Sequence, residues 1–185
     1  MLLTFRIQLA DITKPPVWRR VTVPANFSFE QFHFVIQNAF GWMNSHLYQF
    51  SEKGYGSDVF IGEPSDDDWH EVKDSSKIKL SKVFTSKGQH YTYIYDFGDS
   101  WVHKISLEEI DARQTKQADC TAGKGAFPPE DCGGPWGYER FKDIMTNPTH
   151  PEYDDMREWI GLAEDEQWDP GAFDIASAKE AVSRV

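Results

Sequence analysis

Histidines and carboxylates gather in three short stretches of this sequence: His46, then Asp96 and Asp99 around Phe97-Gly98 with His103 just beyond, then Glu130-Asp131 after Pro128-Pro129. Imidazole and carboxylate together combine borderline and hard donors, the mixture that suits a divalent ion. Cys120 and Cys132 add two thiols, but they lack the close spacing of structural zinc pairs, so an ion would need ligands brought together by folding. The candidate metal ligands are His46, His103, Cys120 and Cys132, with carboxylates from Asp96, Asp99, Glu130 or Asp131 beside them. A divalent metal is weighed on this basis and not favoured.

Each residue also has a plainer reading. His103 lies between Trp101 and Ile105 on an apolar strand face, where a neutral imidazole held by a carbonyl or by Asp96 or Asp99 is favoured over a general base. Asp96-Phe97-Gly98-Asp99-Ser100 reads as a turn in which Gly98 takes positive φ and the aspartates accept local amides. Adjacent acids such as Glu130-Asp131 are usually solvated or capping, and Gly133-Gly134 is a weak candidate for an anion site at a helix start. Trp18-Arg19-Arg20 is the one basic cluster, read as solvated strand residues ahead of a local anion site. His33 reads as a packing residue at the edge of an apolar helix face, and Trp18, Trp42 and Trp136 as candidates to rim a groove. Asp66-Asp67-Asp68 lacks the spaced ligands and central glycine of an EF-hand loop and reads as a solvated acidic loop.

The elements that must position these residues follow from periodicity. Leu3, Phe5, Ile7 and Leu9 alternate with Thr4, Arg6 and Gln8 as in a strand with one wet face, and Val17 to Val23 resumes an extended run that Pro24 closes. Ser28 with Gln31 is a capping-box pair, and the apolar spacing from Phe29 to Phe40 is helical, with Gly41 as its stop. His46 to Phe50 and Val59 to Ile61 read as short strands, Glu63 to Asp74 as an exposed loop, and Tyr91 to Leu107 as a hairpin. Asp111 to Gly134 reads as irregular. Three helices are expected after it: one from Pro135 burying Tyr138, Phe141, Ile144 and Met145; one from Pro151 burying Tyr153, Met156, Trp159 and Ile160; and one capped by Asp174. The fold class expected is α+β: an antiparallel-rich sheet with a long N-terminal-half helix and a C-terminal group of helices packed on it, in a single domain over residues 1–185.

The totals bound the function. Thirty acidic against nineteen basic residues give a formal charge of −11, which repels phosphate backbones and disfavours generic nucleic-acid binding. Aromatic residues make up 15% of the chain, so large rings must supply much of the core. An arginine at the sixth position argues against a signal peptide, no apolar run reaches membrane-spanning length, and two cysteines are too few for a disulfide framework. A cytoplasmic protein with no membrane association is expected.

Four stretches in order resemble a known family: Val17-Trp18-Arg19-Arg20-Val21-Thr22-Val23-Pro24; Phe32-His33 through Ile36-Gln37 to Phe40-Gly41-Trp42 and His46-Leu47; Tyr93 to His103; and Pro128-Pro129-Glu130-Asp131-Cys132-Gly133-Gly134 with Gly137-Tyr138. Together they are similar to the plasmid pRiA open-reading-frame-three family, uncharacterised proteins of plasmids, mobile elements and prokaryotic chromosomes. The resemblance implies an α+β fold and supplies no catalytic residues. Some members carry resolvase-like names, but this chain has no serine-recombinase pattern. Members often place a cysteine before the double proline; here Phe127 stands there, which weakens any cysteine-based site.

The leading expectation is a non-enzymatic binding or interaction module associated with mobile elements, taking an unknown protein or small-molecule partner on a surface of Trp18, Arg19, His46, Asp96, Asp99, His103, Glu130 and Asp131. The alternative is a metal-dependent, hydrolase-like enzyme, and a weaker one is a nucleic-acid accessory factor using Trp18, Arg19 and Arg20. All rest on folding bringing the Asp96 bend, the Pro-Pro acidic segment and His46 to one patch.

Overall fold

The computed structural model describes residues 1–66, 68, 70–163 and 165–185. Its strands, in chain order, are β1 (Leu2–Thr13), β2 (Pro16–Pro24), β3 (Tyr48–Ser51), β4 (Val59–Gly62), β5 (Glu71–Asp74), β6 (His90–Tyr95), β7 (Trp101–Asp111) and β8 (Asp119–Lys124). They form one sheet in the order β5-β4-β3-β6-β7-β1-β2-β8. Neighbours pair antiparallel except β4 and β5, which run parallel.

The alternation in β1 sets which face is covered. Leu3, Phe5, Ile7 and Leu9 are buried, while Thr4, Arg6 and Gln8 stay partly open. Register continues this layer across the sheet, with Phe5 opposite Leu107, Ile7 opposite Ile105 and Leu9 opposite His103. On it lies helix α1 (Phe29–Phe40), whose Phe32 ring sits 4.8 Å from Phe5 and whose Phe29 ring sits 5.1 Å from Phe50. Full burial of each such ring stabilises by about 2–3 kcal/mol, so this aromatic seam is a main source of cohesion.

Helix α1 begins and ends where its capping residues dictate. The Ser28 hydroxyl accepts the Gln31 amide, the Gln31 side chain accepts the Ser28 amide, and Gly41 closes the helix at φ 89°. These stops leave twelve residues, three turns, and the long helix expected in the N-terminal half is not present.

After the single turn α2 (Leu80–Val83) and the β6–β7 hairpin, three helices follow: α3 (Gly134–Met145), α4 (Tyr153–Trp159) and α5 (Ile175–Val182). Helix α3 buries Tyr138, Phe141, Ile144 and Met145, as its spacing requires, and Asp174 caps α5 by accepting the Ala176 and Ser177 amides. Helix α4 departs from expectation. It buries none of its residues, and Trp159 is 47% exposed because the helix packs along α3 and leaves its other side open.

Two strands lie where loops were expected. Glu71–Asp74 pairs parallel to β4 at one sheet edge, and Asp119–Lys124 pairs with β2 at the other, covered by α5. Of the triple aspartate, Asp66 and Asp68 are exposed and Asp67 lies outside the described residues. No helix among the described residues is long and apolar enough to cross a membrane.

Arg19 departs most sharply from the solvated reading. The inward phase of β2 puts it on the covered face with Val17, Val21 and Val23, where it is 2% exposed. Its guanidinium donates to the carbonyls of Ala39, Trp18, Lys124 and Gly125 at 2.8–3.0 Å and lies over the Phe173 ring at 4.1 Å. Ala39 is in the last turn of α1, so the cation also meets the negative end of that helix. Burial lowers its pKa to about 10, and the carbonyl cage is what holds the charge there. Arg20, on the wet face, pairs with Glu108 at 2.6 Å.

Candidate metal centre

The Gly41 cap turns the chain out of α1 toward His46, and a closed polar circuit fixes that turn. The Gln37 amide donates to Tyr93 Oη (3.0 Å), Tyr93 Oη–H donates to His33 Nδ1 (2.8 Å), His33 Nε2–H donates to Asn44 Oδ1 (2.7 Å), and the Asn44 amide donates back to Gln37 Oε1 (3.0 Å). The circuit closes in this sense with a neutral imidazole, and burial holds the His33 pKa down to about 4. His33 is thus fully buried and a positioning residue, where the sequence suggested a boundary packing role.

Two further segments arrive at the same place. Asp96 ends β6, fastened by its amide to the Leu47 carbonyl (2.9 Å), while its Oδ1 accepts the amides of Gly98 (2.9 Å) and Asp99 (3.3 Å). The Pro-Pro segment is tied down through Pro128 O, which accepts Trp42 Nε1–H (3.0 Å), and through Glu130 Oε1, which accepts the Met43 amide and the Tyr95 hydroxyl, each at 3.0 Å. Behind it, a Cβ on Gly137 would fall 1.8 Å from the Cys132 carbonyl oxygen, so only glycine lets helix α3 and the acidic segment approach this closely.

The result is a constellation around one ring nitrogen. His46 Nε2 lies 3.2 Å from Asp131 Oδ1, 3.6 Å from Asp96 Oδ2 and 3.8 Å from Glu130 Oε2. One ligand atom each from His46, Asp96 and Asp131 lies within 4.8 Å of the other two. Nε2 is buried and makes no hydrogen bond, so none of these carboxylates is bonded to it along the ring N–H direction. Among the described residues no lysine or arginine pairs with Asp96, Glu130 or Asp131. Three carboxylates face one imidazole, and two of them, Asp96 and Glu130, are largely withdrawn from water, which makes the site a well for positive charge.

The backbone here is under local strain. Asn44, Asp96, Ser100 and Asp131 adopt φ of 54–57°, a conformation L-residues enter at a cost of about 1–2 kcal/mol, least for Asn and Asp. The positive φ expected at Gly98 falls instead on the residues bounding the turn, Asp96 and Ser100.

The other candidates supply no atom to the His46–Asp96–Asp131 group. His103 is sealed against Phe40, Trp42 and Tyr93, its Nδ1–H donating to the Trp101 carbonyl, and burial lowers its pKa to about 3. Asp99 ties the hairpin to the acidic segment by accepting the Gly133 amide at 3.1 Å, which fills with a carboxylate the place the glycine pair offered an external anion. Cys120 is buried on β8; Cys132 is half-buried, its thiol pushed up to about 12 by burial and then by Asp99. Arg19 is interior, and Trp18 faces the wet side of the sheet under Arg6, 4.0 Å away. Of the groove candidates, Trp42 is buried against Tyr95 and Trp136 is 88% exposed; a cavity bordered by Phe127 and Phe173 is lined instead by Trp159 and Trp168.

A helix-covered, mostly antiparallel sheet carrying a histidine–carboxylate cluster at the ends of its central strands defines the class. The chain matches the plasmid pRiA4b ORF-3-like protein family over residues 1–177 and belongs to that family. It is 36% identical over 175 residues to the uncharacterized protein y4hQ of Sinorhizobium fredii, covering 93% of this chain and 86% of that one. The crystal structure of a protein of unknown function, MM3350 from Methanosarcina mazei, is similar at a TM-score of 0.79 and 37% identity, over 95% of this chain and 96% of the other.

Proposed function

We propose that this chain is a divalent-metal protein in which His46, Asp96 and Asp131 hold one ion and Glu130 stands beside it as a fourth ligand or as a base. The carrying observation is the unbonded His46 Nε2 facing three carboxylates at 3.2–3.8 Å. Donors about 2.1 Å from a common ion are separated from one another by about 3.0–3.4 Å at octahedral or tetrahedral angles, the spacing approached here. One imidazole with carboxylates suits manganese or zinc better than a thiol-loving ion. Such an ion would acidify a bound water, and the exposed Asp131 side leaves room for one, which favours hydrolytic chemistry.

Titration of chelator-treated protein with manganese or zinc, followed by calorimetry, tests this. One ion per chain is expected, with binding abolished in His46→Ala and weakened in Asp96→Asn. Equal binding by the wild type and His46→Ala would remove the proposal.

The interaction-module reading has its own support. Met43, Leu47, Phe97 and Trp136 are exposed large apolar side chains close in sequence to residues of the centre or of the segments that hold it. Metal-loaded protein that captures a partner but turns over no ester, phosphoester or peptide substrate would favour it.

A further inference from the structure

Beside the metal centre the molecule holds a cavity of about 870 Å³, within the range of small-molecule pockets. Its apolar wall includes Phe127, Trp159, Ile160, Leu162, Trp168 and Phe173. The open side of α4 is therefore one wall of a pocket, and Trp159 is exposed into that space.

The charges on this lining are acidic except for one enclosed arginine. Glu130 and Asp131 reach it from the metal centre, and Asp169 and Asp174 reach it from the far wall. Asp169 and Asp174 accept bonds only from neutral donors, the Gly171 amide for one and the Ala176 and Ser177 amides with the Ser177 hydroxyl for the other. Neither has a lysine or arginine partner among the described residues. The one basic lining residue is Arg19, and its guanidinium is enclosed by four carbonyls with Phe40 and Phe173 rings at 4.9 and 4.1 Å. Aromatic faces beside unpaired carboxylates attract an organic cation twice, through the ring quadrupoles and through Coulomb attraction. The net charge of −11 adds a long-range field of the same sign.

We propose that this cavity is a binding pocket for a small organic cation with a flat apolar body, an aryl- or alkyl-ammonium compound in chemical class. The body lies against Phe127, Trp159 and Trp168, and the positive group lies toward Asp169 and Asp174. The inference goes beyond the metal centre and stands without it, because neither Asp169 nor Asp174 belongs to the ligand set.

The test uses the full chain freed of metal and two aromatic dyes of opposite charge, cationic thioflavin T and anionic 8-anilinonaphthalene-1-sulfonate. Thioflavin T is expected to bind one per chain and at least tenfold more tightly than the anionic dye. Ala172→Trp, which fills the pocket from an exposed lining position, is expected to abolish binding. Asp174→Asn keeps an N-cap and is expected to weaken thioflavin T several-fold without weakening the anionic dye. Manganese affinity measured on both variants is expected to match the wild type, so failure of the pocket and failure of the metal centre read out separately. Absence of thioflavin T binding, an anionic dye bound as tightly, or thioflavin T binding undiminished in both variants would each overturn the proposal.

Discussion

The hydroxyl of Tyr95 donates to Glu130 Oε1 at 3.0 Å while accepting the Ser45 amide at 2.9 Å, so one phenol on β6 joins the acidic segment to the turn that carries His46. Burial and then the Glu130 charge raise its pKa, which keeps it a donor throughout the neutral range. Groups that orient ligands from behind commonly matter 10–100-fold in metal affinity. Tyr95→Phe is expected to lower manganese affinity by about tenfold or more, with a stability loss of only about 1 kcal/mol, measurable by calorimetry beside urea unfolding.

Metal should also stabilise the folded chain. A ligand at a hundred times its dissociation constant adds about 2.7 kcal/mol if it binds only the folded state. The melting temperature is expected to rise with manganese in the wild type and to stay flat in His46→Ala. A rise of equal size in both would place the ion elsewhere.

Acid should loosen the fold before the carboxylates titrate. The pKa of His33 in the folded chain, about 4, lies below the unfolded value near 6.5, so the unfolded chain binds the proton more readily. Stability is therefore full above about pH 6.5, falls as pH drops, and has lost on the order of 3 kcal/mol from this residue by pH 4. His103, at about 3, acts in the same direction. Urea midpoints measured from pH 7 down to 5 are expected to show proton uptake on unfolding from these two histidines that rises toward about two by pH 5 in the wild type and toward about one in His33→Gln.

Much of this architecture was legible and some was not, for physical reasons. The period-two run at Leu3–Leu9, the capping box at Ser28 and the hairpin from Tyr91 carry strong local signals, and each element formed where they lie. Strands β5 and β8 carry almost none: three of the four residues of Glu71–Asp74 are charged, and Asp119–Lys124 has little apolar alternation, so each is made by the neighbour it pairs with. The meeting of His46, Asp96, Glu130 and Asp131 follows their enrichment in the motif-bearing stretches. The circuit that positions His46 was hidden because His33 and Gln37 lie on an otherwise apolar helix face, where polar residues read as imperfections. Their spacing of one helical turn was the available sign that they shared a partner.

Removing the glycine at 137 should disturb both fold and site. A methyl group there would overlap the Cys132 carbonyl oxygen at 1.8 Å, so the acidic segment must move. Gly137→Ala is expected to destabilise the chain by about 2 kcal/mol or more and to weaken metal binding at temperatures where the protein remains folded.

Arg19 tests whether a cation is required inside. Arg19→Met would leave the carbonyls of Ala39, Lys124 and Gly125 without these donors, at roughly 1–3 kcal/mol each where water cannot replace them. Thermal unfolding of Arg19→Met and Arg19→Lys is expected to show large losses for both, since one ammonium cannot reproduce the forked geometry.

The groups proposed to hold the ion come from the exit of a helix, the tip of a hairpin and a proline-stiffened crossing, stretches far apart along the chain. No fragment of the polypeptide holds the set, and a half-folded chain would present the same donors scattered. Uptake of a paramagnetic ion would therefore serve as a late clock for folding, silent through collapse and switching on only when the last long-range closure is complete.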